Sequence, residues 1–327
     1  MATPPTGANQ GAKRAQRRSP AAGVAAPFAA LALLAAASGA RAQDDGPRVY
    51  MQAPDGARAL TIFAVAKQGN EEPEVGSVAP GSDFATNIVV FRYVQTFSLA
   101  GRQLTPFLIL PFGGTRTLVD GVDHGAMESS SGLGDIQIGG VLGLLGSPAL
   151  SPQDYAAAKP GFSTGLFAKT YLPTGAYNAA QIANLGANRF AFQVGLPTTL
   201  ALGTSYRDPA LTTLELFPTL TFYQDNDEPH GANRSSKDPL FSVEGHLTHN
   251  LSSAFWVLAD LLYRQGGGTF TDGLSDDNAT QGLSGGGSAA FVLGRKATLI
   301  LTYERVIERN DNGPDGWFFR TALVLPF

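Results

Sequence analysis

Arg189-Phe190-Ala191-Phe192-Gln193-Val194-Gly195-Leu196-Pro197-Thr198-Thr199-Leu200-Ala201-Leu202 is the stretch whose reading decides the fold. Phe190, Phe192, Val194, Leu196, Leu200 and Leu202 interleave with Arg189, Ala191, Gln193, Gly195 and Thr199. A period of two puts the first set on one face of an extended chain and the second on the other. Working outward, the same alternation recurs in Ile136, Ile138, Leu142 and Leu144 against Asp135, Gln137 and Gly139. It recurs again in Leu214, Leu216, Leu220 and Phe222 against Thr213, Glu215, Thr219 and Thr221. The last segment alternates Trp317, Phe319, Thr321, Leu323, Leu325 and Phe327 with Phe318, Arg320, Ala322 and Val324.

Counting such segments predicts strands near 58–66, 84–97, 104–111, 134–145, 162–172, 189–202, 212–223, 240–249, 254–264, 281–293, 296–306 and 316–327. That is an even set of about twelve, several of them near the ~9–11 residues a tilted strand needs to cross a bilayer. Segment 104–111 is the weakest, because it is short, carries Pro106 and alternates poorly, as an edge or plug segment would. Long or polar links (67–83, 112–133, 173–188, 224–239, 265–280, 307–315) alternate with tight ones around Gly101, Asn250 and Gly294-Arg295. This is the asymmetry of a barrel with long loops outside and short turns in the periplasm. The link 146–161, with Pro148, Pro152 and Pro160, is longer than such a turn should be.

The opening of the chain reads as an export signal. Lys13, Arg14, Arg17 and Arg18 precede an apolar run from Phe28 to Ala37 that closes on Ala40-Arg41-Ala42. The run is shorter than the ~20 residues of a membrane helix. Arg17-Arg18 raises a twin-arginine alternative, but Ser19-Pro20 follows in place of a hydrophobic pair. The expected division is therefore a signal peptide over 1–42, a periplasmic segment over 43–57 and a barrel over 58–327. After Ala42 no stretch of helix-spanning length stays apolar, so strands must do the crossing. Cysteine is absent, which excludes disulfides, thiolate metal sites and a cysteine nucleophile. With 23 basic against 27 acidic residues and no basic patch among aromatics, nucleic acid is not an expected partner.

An all-β, antiparallel transmembrane barrel is the fold these features favour. A soluble sandwich, with the apolar faces packed on each other, is the competing arrangement. In a barrel the polar parity faces the lumen, and it includes Arg92, Asp135, Gln137, Lys169, Arg189, Gln193, Glu215, Glu244, His246, Asp260, Arg264, Glu304 and Arg320. Arg or Lys on the lipid face would cost ~2–4 kcal/mol near the midplane, so confinement to one parity is a requirement of the fold before it is a sign of function. The functional alternative is that some of these charges line a solute pathway, with Lys169, Arg189, Glu215 and Asp260 as candidates at a constriction. His246 with Ser242 and Glu244 on one strand face is the single cluster suggestive of catalysis. Side chains two apart lie ~7 Å from each other, so a nucleophile would have to come from a neighbouring strand. The acidic clusters Asp272 to Asp277 and Asn310-Asp311-Asn312-Gly313 lack the ligand spacing of a calcium loop and read as solvated loops, so no metal and no cofactor is expected.

Several short motifs run in order along the chain: Ser131-Gly132-Leu133-Gly134-Asp135, Leu172-Pro173-Thr174-Gly175, Asn184-Leu185-Gly186-Ala187-Asn188-Arg189, and Glu304 with Arg309-Asn310 ahead of the Trp317 to Phe327 strand. Together, from about Ala57 to Phe327, they resemble the Putative MetA-pathway of phenol degradation family. The resemblance implies an outer-membrane barrel associated with pathways for aromatic compounds and a role in solute uptake; it supplies no established binding residues. Each motif also has a local reason, since Gly132 and Gly134 permit a tight entry into a strand and Pro173 stops one.

The expected function is a monomeric outer-membrane channel for passive uptake of small molecules, aromatic or hydrophobic ones included. A non-conducting structural or adhesive barrel is the alternative, and a barrel hydrolase comes third. Outer-membrane lipid, the barrel assembly machinery and the solute are the expected partners. Phe327 ends an amphipathic strand, the kind of terminal aromatic that the insertion machinery is expected to recognise. Deleting Phe327 should slow assembly and raise periplasmic degradation, read as loss of heat-modifiable gel mobility and yield; unchanged values would remove this role.

Overall fold

The computed structural model describes residues 1–2, 45–79, 81–119 and 126–327. The segment expected as the signal peptide lies almost entirely outside the described residues. Twelve antiparallel staves run in chain order: β1 (Arg58–Gly69), β2 (Asp83–Gln95, continued by Phe97–Leu99), β3 (Arg102–Val119), β4 (Ala126–Leu133 and Gln137–Leu145), β5 (Phe162–Tyr171), β6 (Ala191–Gly195 and Thr198–Leu202), β7 (Thr212–Tyr223), β8 (Leu240–Asn250), β9 (Phe255–Gly266), β10 (Thr280–Leu293), β11 (Ala297–Arg309) and β12 (Trp317–Pro326). Each pairs with its successor. β12 then returns to β1 in the register Ala59↔Pro326 to Gln68↔Trp317. Closure leaves no sheet edge, so the ladder of backbone N–H and C=O groups is satisfied all round the sheet.

The alternation decides which face goes where. Phe192, Val194, Leu200, Leu202, Leu214, Leu216, Leu220 and Phe222 are exposed on the outside, while Ala191, Gln193, Thr199, Thr213, Glu215, Thr219 and Thr221 between them are buried. Apolar surface out and polar surface in is the reverse of a soluble protein, and it excludes the sandwich, whose apolar faces would be the buried ones.

Several expectations are corrected. Segment 104–111 belongs to the longest stave, β3, of 18 residues, and is neither edge nor plug. Its irregular pattern has a cause: Phe107 and Ile109 point inward and are buried, so apolar residues stand on both faces. Gly139 on β4 makes this possible, because a Cβ there would lie 2.6 Å from the Phe107 ring. The expected loop 112–133 is largely strand, with Phe112 to Val119 paired to Ala126 to Leu133. β4 is broken at 134–136, where Gly134 N–H still donates to the Pro111 carbonyl at 2.8 Å. β6 breaks at Leu196-Pro197, since proline offers no N–H to the ladder. Its carbonyl accepts from Gly165 N–H at 3.0 Å and keeps the stave in place.

The long link 146–161 holds a short helix, α1 (Pro152–Ala157), whose start is capped by the Ser151 side chain accepting from Asp154 N–H. The link is tied to the segment before β1 and to the turn after β6. Leu150 O accepts from Asp55 N–H. Pro148 O accepts from Gln52, and Tyr155 stacks on Tyr206 with centroids 4.9 Å apart.

On this register Val194 is 42% exposed on the outer face and Gln193 is buried. Val194→Arg should therefore impair membrane assembly, by about 2–4 kcal/mol of insertion cost, while Gln193→Arg should not. Equal recovery of the two variants in membrane fractions would contradict the register.

Candidate functional site

The barrel interior is filled from both ends. From one end comes the described part of the segment expected over 43–57, and its first residues are bonded to inward-facing side chains. Asp45 N–H meets Glu244 Oε2 at 3.3 Å, and the Asp45 carboxylate pairs with Lys169 at 3.4 Å. Arg48 donates from its backbone to Glu215 at 2.8 Å and from its guanidinium to Thr248 and Asn250, and lies over the Trp256 ring. Tyr50 packs edge-on to Phe167 and Phe217, with centroids 5.5 and 5.0 Å away. Its hydroxyl donates to Asp45 at 2.7 Å. Phe107, Phe167 and Phe217, inward residues on three staves, form an apolar seat for Tyr50 inside an otherwise polar lumen.

From the other end the link after β1 folds inward. Glu71, 2% exposed, accepts from Arg264 at 2.6 Å and pairs with Lys67 at 3.4 Å. Glu74 lies 2.9 Å from Arg189 and 3.4 Å from Lys237. Burial alone would raise the Glu74 carboxyl, but Lys237, Arg189 and the Ser77 hydroxyl hold it below the ordinary carboxylate range. Asp45 is likewise pulled down, against its burial, by Lys169, Arg92 and the Tyr50 hydroxyl. Between the two inserts is a cavity of about 190 Å3.

Of the residues expected on the lumen face, Arg92, Asp135, Gln137, Lys169, Arg189, Gln193, Glu244, Arg264 and Arg320 line this cavity. Asp135 and Gln137 are half-buried and the others are buried. Glu215, His246, Asp260 and Glu304 are buried elsewhere. Glu215 binds Arg48, and His246 Nδ1 lies 2.6 Å from Asp260 Oδ1. Of the four constriction candidates, Lys169 and Arg189 thus border the cavity, while Glu215 and Asp260 are engaged away from it. The Ser288 hydroxyl reaches the other Asp260 oxygen at 3.3 Å. The order is therefore serine, carboxylate, imidazole, whereas a nucleophile requires the imidazole in the middle. The loop acids are engaged too: Asp272 accepts from the backbone of Asn233 and Arg234, and Asp276 accepts from the Thr269 and Thr271 hydroxyls. Phe327, 71% exposed, extends the β12 ladder by donating its N–H to Arg58 O.

Three of the ordered motifs meet at one corner of the cavity. Asp135 accepts from Gly175 N–H at 2.9 Å and from Ala187 N–H at 2.8 Å. Gly175 and Gly186 touch so closely that a Cβ on the first would lie 2.5 Å from the Cα of the second. Three separate sequence motifs thus form one clip that fastens the link 172–190 to the break in β4. A family model described as Putative MetA-pathway of phenol degradation matches residues 68–320. The chain belongs to this family.

No curated protein matches the sequence significantly. Among solved structures, an outer-membrane channel from Pseudomonas putida F1 is similar with a TM-score of 0.69 at 21% identity, over 87% of this chain and all of that one. The β domain of the Bordetella autotransporter BrkA gives a TM-score of 0.46 at 12% identity, over 84% of this chain and all of that one. The first likeness shows the same fold as in this chain, whose own pairing is that of a closed barrel of twelve strands.

What sequence reading missed is the filling. Asp45, Arg48 and Tyr50 stand before the first strand, and Glu71 and Glu74 stand in a link; no periodicity marks them. The one available signal was Phe107, Phe167 and Phe217, large apolar residues on the polar parity, which need an apolar partner inside.

Asp135→Ala should leave two backbone N–H groups without their acceptor, at about 1–3 kcal/mol of local stability each. Limited proteolysis should then cut faster within 172–190 while heat-modifiable mobility of the barrel is kept. Unchanged cleavage would show that the clip does not hold the link.

Proposed function

We propose that the chain is a monomeric outer-membrane channel that lets small molecules, aromatic and hydrophobic ones included, pass down their gradient. The observation that carries this reading is the closed barrel with an apolar outer belt and a polar interior that encloses a cavity of about 190 Å3. Family membership and the fold shared with a protein described as an outer-membrane channel support it. Residues 1–42 are proposed as a cleaved export signal, and the barrel assembly machinery as the insertion partner. Nothing in the chain resembles a phosphate-binding loop, so any transport has to be downhill.

Twelve strands enclose a narrower lumen than the 16–18 strands of open porins, and inserted segments narrow it further. Flux then depends on how readily the inserts move. The segment 45–53 is held in the lumen by an ion pair, hydrogen bonds and one aromatic seat, with no covalent cross-link to the wall.

The second reading, a non-conducting barrel that presents its loops, is favoured by the same filling, because ion pairs bridge the lumen from both ends. Planar-bilayer conductance and liposome swelling separate the two. The intact protein should give small, intermittent conductance, and a variant lacking residues 45–53 should conduct several-fold more. Folded protein that passes neither ions nor a neutral aromatic, in both forms, would overturn the channel reading in favour of the structural one.

A further inference from the structure

The charges around the cavity are not matched one for one: among the described residues, six basic side chains border it against four acidic ones. Most of the basic groups have a partner. Arg189 lies beside Glu74, Lys169 beside Asp45, and Arg264 and Lys67 share Glu71. Arg92 is different. It is 4% exposed, and among the described residues its Nε has no hydrogen-bond partner. Its guanidinium rests over the rings of Tyr50 and Phe107, at 5.5 and 5.0 Å. Asp45 interacts with it electrostatically, but the Asp45 oxygens are bonded to Lys169 and the Tyr50 hydroxyl. A buried guanidinium without an acceptor is costly, and the planar fork of its donors fits a carboxylate.

The wall beside Arg92 is apolar. Ile88 and Val90 on β2 and Ile109 and Pro111 on β3 face the same space. An apolar cavity of about 150 Å3 accommodates benzene. A space of about 190 Å3 therefore has room for one ring with a small substituent.

We infer that this cavity is a binding site for a single-ring aromatic carboxylate, with Arg92 taking the carboxylate and the wall from Ile88 to Pro111 taking the ring. The inference deepens the channel reading by naming the solute class that its cavity selects.

Equilibrium dialysis of the purified, folded full-length mature protein tests it with benzoate and its neutral counterpart benzyl alcohol as probes. Benzoate should bind at least 10-fold more tightly than benzyl alcohol. Arg92→Gln should weaken benzoate roughly 10–100-fold, the loss of a charge-assisted bond, and leave benzyl alcohol unchanged. Equal affinity of the wild type for the two probes would overturn the site. So would undiminished benzoate binding by a folded Arg92→Gln variant. Should that variant fail the heat-modifiability check, the wild-type comparison alone decides. Conductance measured on the same preparation keeps the two readings apart: conductance with no preference for benzoate removes the site alone, whereas benzoate preference without conductance supports the site and removes the channel.

Discussion

A sheet that crosses hydrocarbon has to close on itself, because there is no water there to satisfy an open edge. The pairing of β12 with β1 meets that requirement, and much else follows from it. Once the cylinder is closed, alternation sends every second side chain into a confined interior. Each charge placed there must find a counter-charge, a ring or a dipole. The network from Asp45 to Lys169, from Glu71 to Lys67 and Arg264, and from Glu74 to Arg189 and Lys237 is the chemical response to that confinement.

The inserts solve a packing problem as well as an electrostatic one. Twelve strands enclose more space than the inward side chains of the staves fill here. Tyr50 takes up the volume beside Phe107, Phe167 and Phe217, and Glu71 and Glu74 take up the volume opposite it. The space left between them is bounded by charge on one side and by aliphatic side chains on the other. Its shape thus belongs to no single strand; it is set where two non-strand segments stop.

How much of this was legible follows from which forces leave a local trace. The outer face imposes a strict period of two, so Phe190 to Leu202 and Leu214 to Phe222 disclose their strands without any neighbour. Where that constraint relaxes, legibility fails. Phe107 and Ile109 broke the alternation of β3, so that only 104–111 of its 18 residues were read as strand. Gly113, Gly114 and Ser129 to Ser131 carry the upper parts of β3 and β4 without an apolar stripe, and they read as loop. The position of segment 45–53 left no trace because its contacts reach side chains some 120 to 200 residues away. The motifs of the 172–190 link were visible as motifs, but their convergence on Asp135 was not, since hydrogen bonds from Gly175 and Ala187 carry no periodicity.

The bond between Arg264 and Glu71 joins residues 193 positions apart in the chain. Such a contact can form only after the staves between them have come together, so it belongs to the end of the assembly reaction. Interactions absent from a transition state act on the reverse rate and leave the forward one nearly untouched. The inner network therefore works as a latch in time: it does little to hasten construction of the barrel, and it sets how long the finished object stays shut.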